Sequence, residues 1–254
     1  MRAIENYTDS LYKSIKRELR RDYGFGCVTY KSTASHDDMD SKVFEKSAAA
    51  ICSAIDRTNW LAIKDFYDLR IAGLSIEKSM FDATGGVNTQ KGLIFLHTFL
   101  AFAYMRGVLW ENLEEFIANF SKSLTSDYDN HTKAKIWEAK GLADIRYYPL
   151  SGFRDILRMV EDEKNNQSTD LILTLKLIAT VDDTTTVKRS DIKTLREIQA
   201  FAASTLDQVD LNVFIRNVKY LNNYYIEKNI SSGGVADLFT TIRTLELLKE
   251  DFDE

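Results

Sequence analysis

The chain has 254 residues, with one proline and 11 glycines; average usage would give roughly 13 and 18. So few turn residues exclude an all-β sandwich or barrel and a collagen-like or proline-rich disordered chain. Lys and Arg total 33 against 38 Asp and Glu, a formal charge of -5, so there is no basic surplus for nucleic acid and no polybasic stretch for a membrane surface.

Met1 to Asp9 is polar and lacks the apolar core of a secretory signal. Cys27 and Cys52 form no metal-ligand spacing and predict no disulfide framework. The expected compartment is the cytoplasm. After a polar stretch at 21–40, Phe44, Ser47, Ala48, Ile51 and Ile55 fall on one helical face. Phe66, Leu69, Gly73, Ile76 and Met80 form a second face. Leu93 to Met105 is too short to span a bilayer and reads as a buried core helix. Ser123 to Asn130 is a polar connection, and Glu161 to Asp170 (EDEKNNQSTD) reads as a mobile surface loop. Leu171 to Val181 suits a buried helix better than a strand. Ile192, Leu195, Ile198 and Ala202 repeat the helical period, as do Leu211, Phe214, Val218, Leu221 and Tyr225, then Leu238, Ile242, Leu245 and Leu248. The expected fold is all-α, a single compact domain over 1–254 with about ten helices and no internal repeat.

Seven of the 11 glycines fall at three helix boundaries: Gly24 and Gly26; Gly85, Gly86 and Gly92; Gly233 and Gly234. Glycine there permits positive φ or close approach of a ligand, or serves as a helix C-cap. In the middle cluster Asn88 is a good N-cap. The helix N-terminus behind a Gly-Gly turn suits an oxyanion such as phosphate, and Lys91 adds a point charge. Gly, Lys and Ser/Thr do not follow the Walker A order. His36, Asp37, Asp38 and Asp40 bring one imidazole and three carboxylates within five residues. Such oxygen ligands suit Mg²⁺ shared with substrate phosphates; equally, they suit an acidic helix N-terminus. Asp182-Asp183-Thr184 poses the same choice. His97 reads as a satisfied core histidine, and His131 carries no assignment.

Three segments, ASHDDMD at 34–40, LRIAGLSIEKSMFDATGGVNTQKG at 69–92 and NISSGGVADL at 229–238, resemble the triphosphoribosyl-dephospho-CoA synthase family. The resemblance runs from about residue 20 to residue 245. Weaker matches are Glu138-Ala139-Lys140-Gly141 with Tyr148-Pro149, and Asp183-Thr184-Thr185 with Arg189. The resemblance implies an all-helical enzyme that moves the 5-triphosphoribosyl group of ATP to the 2′-hydroxyl of 3′-dephospho-CoA and releases adenine. It implies Mg²⁺ as cofactor, with ATP and dephospho-CoA as ligands and neither nucleic acid nor membrane as partner; oligomeric state stays open, a homodimer included.

Displacement at an anomeric carbon passes through an oxocarbenium-like state that a carboxylate can stabilise, while another carboxylate takes the hydroxyl proton. On this reading Asp38, Glu77 and Asp183 are the candidates for catalysis, and Asp37, Asp38, Asp40 and Asp183 for the metal. His36, Gly85, Gly86, Asn88, Lys91, Lys140, Arg189, Gly233, Gly234 and Asp237 would bind ATP and its phosphates or shape the site.

The chain departs from the family pattern at several positions. Phe25 and Ser232 stand where the family usually has proline, Gln90 where it has histidine, Lys140 where it has arginine, Leu142 where it has glutamate, and Thr185 where it has asparagine. Losing proline removes no chemistry, Lys loses the bidentate fork of Arg, and Leu142 removes a carboxylate. The alternatives are therefore the same chemistry on another acceptor, a specialised metabolite or water, and a non-catalytic helical protein that binds a nucleotide.

Overall fold

A computed structural model describes residues 2–125, 132–166 and 168–252. Among them the chain forms thirteen α-helices and four short 3-10 turns, with no strand beyond an isolated bridge between Thr29 and Ser32. The first helix, α1 (Arg2–Leu19), buries Tyr7, Leu11, Ile15 and Leu19 at helical spacing. α2 (Ser41–Arg57) starts at Asp40, whose side chain accepts the Val43 amide at 2.8 Å, an N-cap that satisfies one orphan donor. α3 (Phe66–Thr84) starts at Asp65 and stops at Gly85, which adopts φ 68°; the amides of Gly85 and Gly86 both close onto the Phe81 carbonyl.

α4 (Lys91–Met105) is buried from Leu93 to Ala103 except for Phe95, which is partly covered. There follow α5 (Leu113–Phe120), α6 (Thr132–Ala139), α7 (Tyr147–Leu150), α8 (Arg154–Asn166), α9 (Asp170–Thr180), α10 (Thr184–Arg189), α11 (Ile192–Leu206), α12 (Leu211–Glu227) and α13 (Gly233–Leu248). α13 packs against α1, α4, α8 and α9, while α2 packs on α1 and α3, and α9 on α11. α13 is buried on nearly all sides, as a helix at the centre of a bundle must be. One apolar cluster runs from Ile4 to Phe252.

His97 lies in this core. The Tyr7 hydroxyl sits 2.7 Å from its Nδ1 and Thr241 Oγ1 3.4 Å from its Nε2, and burial pushes its pKa down to about 3. It is a neutral core histidine. Cys27 and Cys52 are free and buried. No helix of the described residues is long and apolar enough to cross a membrane.

The expectation of an all-α fold with about ten helices holds; the three beyond ten are α6, α7 and α10, too short to show a period in sequence. Two expectations need correction. Glu161 to Asp170 is not a loop: α8 continues to Asn166. Its Glu163 is buried, held 3.0 Å from Lys176 Nζ and 3.5 Å from Arg243, so a charged run hides an inward ion pair. Leu211 is exposed although it fits the apolar period of α12, because it sits at the first residue of that helix. Residues 126–130 of the polar connection, and His131, lie outside the described residues.

Candidate active site

The N-termini of α4 and α13, the loop between α1 and α2, and the 182–189 segment meet around a polar cavity of about 490 Å³. Its floor is acidic. Asp183 caps α10, with Oδ1 accepting the amides of Thr185 (2.7 Å) and Thr186 (3.2 Å), while Oδ2 accepts the Val235 amide of α13 at 3.1 Å. One carboxylate thus ties two helix starts together. Asp237, one turn into α13, faces the start of α4 and accepts the Leu93 amide. This approach requires Gly92. A Cβ there would fall well inside van der Waals contact of Asp237 Oδ2, so Gly92 is a consequence of close approach rather than a turn residue.

Glu18 completes the floor from α1. Thr240 donates to its Oε2 at 2.7 Å, and Arg21 lies 3.6 Å from its Oε1. Burial raises the pKa of all three carboxylic acids. For Asp183 the amide hydrogen bonds offset part of the rise. For Asp237 the rise is largest, because repulsion from Glu18 and Asp183 adds to burial. Like charges gathered in low dielectric favour the protonated form.

The mouth is cationic and mixed. Lys91, Lys188 and Arg189 line it together with His36 and Asp38. Arg189 Nη1 donates to the Ser35 carbonyl at 2.6 Å, and its Nη2 lies 3.3 Å from His36 Nδ1. His36 Nε2 is 3.2 Å from Ser231 Oγ. Burial and the neighbouring guanidinium lower the His36 pKa, which Asp38 and Asp37 offset only in part. The imidazole is neutral at pH 7.

The structure brings most of the sequence candidates to this cavity: His36, Asp38, Asn88, Lys91, Asp183, Arg189, Gly233, Gly234 and Asp237 all line it. Asn88 accepts the Lys91 amide at 3.3 Å, although α4 itself begins after Gln90. The other candidates stand apart. Gly85 and Gly86 form the C-cap of α3 with open space beside them. Asp37 lies in a shallower hollow with Arg189 and Lys228. Asp40 is the N-cap of α2. Lys140 sits over the Trp137 ring. Glu77 pairs with Lys91 at 2.5 Å, beside the cavity rather than in its wall. Among the described residues no group of three or more His, Cys, Asp and Glu side chains is set to hold a metal.

Sequence reasoning missed Glu18, Tyr148 and Lys188 as cavity residues. A signal existed for Glu18: it falls on the same face of α1 as Leu11 and Ile15, where a carboxylate is out of place. Leu142 is not in the cavity wall. It is buried with Val187 and Leu195 in a small apolar cluster against Trp137 and Ile192.

These features define an all-helical protein with a carboxylate-floored, cation-rimmed cavity at the N-termini of two long helices. The chain belongs to the ATP:dephospho-CoA triphosphoribosyl transferase (CitG) family, whose model matches residues 4–147 and 133–253. It is similar to the 2-(5''-triphosphoribosyl)-3'-dephosphocoenzyme-A synthase of Haemophilus ducreyi, at 28% identity over 96% of this chain and 89% of that protein. A probable synthase of the same name from Salmonella typhi is 30% identical over 84% of this chain and 81% of its own. The protein CitXG of Haemophilus influenzae is 27% identical over 92% of this chain, which spans only 58% of that relative. No solved structure matches the chain.

Proposed function

We propose that this chain transfers the 5-triphosphoribosyl group of ATP to the 2′-hydroxyl of 3′-dephospho-CoA and releases adenine. Family membership over nearly the whole chain supports the reaction. The observation that carries it to residues is the set of three buried carboxylates facing Lys91, Lys188 and Arg189 across one cavity. Anionic groups on one side suit an oxocarbenium-like centre; cations on the other suit a triphosphate.

Among the carboxylates, Asp183 gives its oxygens to three amides and Glu18 is held by Thr240 and Arg21. Asp237 accepts one amide, that of Leu93, which leaves a carboxylate oxygen open to a substrate hydroxyl and suits it, once ionised, to the part of general base. Its part is to take the proton of the attacking hydroxyl. Asp38, at the mouth, and Asp183 are the carboxylates that would hold Mg²⁺, which needs only one or two of them beside substrate phosphates. The metal would supply neutralising charge for the triphosphate. His36, kept neutral, positions Arg189 and Ser231.

The cavity draws residues from Glu18 to Leu238, so the reading treats 1–254 as one functional unit. A cytoplasmic setting accords with two free buried cysteines. The test is adenine release from ATP and Mg²⁺, with and without dephospho-CoA. Release only with dephospho-CoA is the expected result. Release without it would redirect the reaction to water or another acceptor, and no release despite ATP binding would overturn catalysis.

A further inference from the structure

Tyr148 lines the polar cavity within the field of Asp183. Its backbone is fixed. The Tyr148 carbonyl accepts the Phe153 amide at 2.7 Å and the Ser151 hydroxyl at 3.0 Å. The next carbonyl, that of Pro149, accepts the Ser121 hydroxyl at 2.7 Å. The ring is partly buried and stands edge-on to Tyr147 at 5.6 Å. The two phenols differ in one respect. Tyr147 donates its hydroxyl to Asp155 at 2.8 Å, whereas the Tyr148 hydroxyl donates to no group among the described residues. A buried tyrosine hydroxyl usually finds a partner. A rigidly mounted phenol with an unspent proton, in the wall of a cavity, points to a ligand.

The chemistry has a place for such a donor. The reaction breaks the bond between the anomeric carbon of ATP and the purine, and the electron pair of that bond leaves with the base. The floor carboxylates suit the cation that develops on the sugar. The negative charge that develops on the purine needs a hydrogen-bond donor instead. The base also needs an apolar face to lie on. Two stretches of the wall are apolar: Val28, Met39 and Phe44 from the α1–α2 loop and α2, and Ile145, Tyr148 and Val181 from α7 and the end of α9. Only the second carries a side-chain donor.

We propose that Tyr148 is the catalytic hydrogen-bond donor to the adenine leaving ATP, with the base lying along Ile145 and Val181. The proposal rests on the reaction proposed above. As the glycosidic bond breaks, the phenol hydrogen-bonds a purine nitrogen that receives the electron pair. The acceptor hydroxyl forms the new bond to the anomeric carbon and gives its proton to Asp237. Tyr148 keeps its own proton, because burial and then the charge of Asp183 hold its pKa above the ordinary phenol value. The departing base takes a proton from water and Asp237 returns one to water, so the protons balance.

Tyr148→Phe tests it by removing one oxygen and keeping the ring. Adenine release from ATP, Mg²⁺ and dephospho-CoA should fall about 10²-fold in kcat, with the KM for ATP nearly unchanged, the mark of an interaction made only in the transition state. The base of 2-chloro-ATP is electron-poor and leaves more readily, so the deficit of Tyr148→Phe should be smaller with that substrate. Since the hydroxyl bonds to nothing in the ligand-free protein, the melting temperature should not fall. Tyr147→Phe, whose hydroxyl is spent outside the cavity wall, should keep turnover. Unchanged turnover in Tyr148→Phe, or equal deficits with ATP and 2-chloro-ATP, overturns the donor. So does a lowered melting temperature or a failure to fold, which would make the hydroxyl structural. If the parent chain releases adenine to dephospho-CoA and Tyr148→Phe matches it, the reaction stands and the donor falls. If the parent releases adenine only to water or another acceptor, the acceptor falls and the same comparison of substrates still decides the donor. A parent chain that releases no adenine overturns both.

Discussion

The carbonyl of Phe25 accepts two hydrogen bonds from Ser232, one from its amide at 3.2 Å and one from its hydroxyl at 2.8 Å. Both residues stand where the resemblance to the family leads one to expect proline, so the two expected departures touch each other. Phe25 has φ 47°, a left-handed conformation closed to proline, whose ring fixes φ near −65°. Ser232 supplies an amide proton that proline lacks. Beside them Gly26, at φ 81°, passes so near the Ile230 carbonyl that a Cβ has no room.

This contact makes the pair a unit with measurable coupling. Ser232→Ala removes the hydroxyl donor and should cost about 1 kcal/mol. Ser232→Pro removes both donors from a buried carbonyl and should cost about 1–3 kcal/mol, although proline is the residue the resemblance leads one to expect. In a double-mutant cycle with Phe25→Pro, chemical denaturation should show a double variant less damaged than the sum of the singles. Strict additivity would mean that the two loops vary independently.

Lys91 lines the site cavity and pairs with Glu77. Lys91 is 56% exposed, so the ion pair itself adds little stability. Lys91→Ala should leave the melting temperature nearly unchanged but weaken ATP about tenfold, or about 1.4 kcal/mol. Glu77→Gln tests the alternative assignment of Glu77 as base. A fall in turnover of less than about tenfold fits a pairing role, whereas a loss of 10²-fold or more would fit general-base catalysis.

The floor carboxylates set a pH dependence. Glu18, Asp183 and Asp237 bind protons more tightly folded than unfolded. Their contribution to stability is therefore full below the ordinary carboxylate values of 3.8 to 4.5 and is lost as pH rises through the raised folded values. His97 acts in the other direction. Its folded value of about 3 lies below 6.5, so its contribution is present above pH 6.5 and lost as pH falls toward 3. Below pH 6.5 the two effects oppose each other, so the melting temperature of the ligand-free protein should rise less between pH 4.5 and pH 6.5 in the parent chain than in Asp237→Asn. Asp237→Asn should also raise the pH 8.5 melting temperature by about 2–4 °C, the effect of about 1 kcal/mol in a chain of this size. The same variant should lose adenine release about 10²-fold or more. A lower melting temperature at pH 8.5 together with retained turnover would remove Asp237 from the mechanism.

Much of this was legible in the sequence, and the limits have physical causes. The long helices announce themselves because their buried faces keep one period, as in Phe44 to Ile55 and Leu238 to Leu248. Helices of four to eight residues have no period to show. The cavity was legible where local motifs carry it: Asp183 as a carboxylate at a helix start, Asp237 within the family block. Glu18 is marked only as a carboxylate on the apolar face of α1; its part in the site depends on α1 lying beside α13, a contact 222 residues away in sequence through Thr240. Gly85 and Gly86 mislead in the opposite sense. A Gly-Gly turn before a helix reads as a phosphate loop, yet both amides are spent on closing α3 at Phe81.

Leu142 stands where the resemblance to the family leads one to expect glutamate, and its surroundings explain the leucine. Its side chain is buried with Val187 and Leu195, against Trp137 and Ile192, while its neighbour Ala143 lines the cavity and donates its amide to Asp182 at 3.1 Å. Leucine here packs a wall behind the site. Installing that glutamate as Leu142→Glu would place a carboxylate among apolar side chains, where an unpaired ionised group is strongly disfavoured and shifts toward its neutral form. The variant should lose about 2–4 kcal/mol of stability in chemical denaturation, as buried polar insertions without partners do, and should gain no activity. Leu142→Met, which conserves volume, should cost less than about 1.5 kcal/mol and keep turnover. A Leu142→Glu protein as stable as its parent and faster in adenine release would show that the side chain can swing into the cavity and that the substitution, not the packing, limits the reaction.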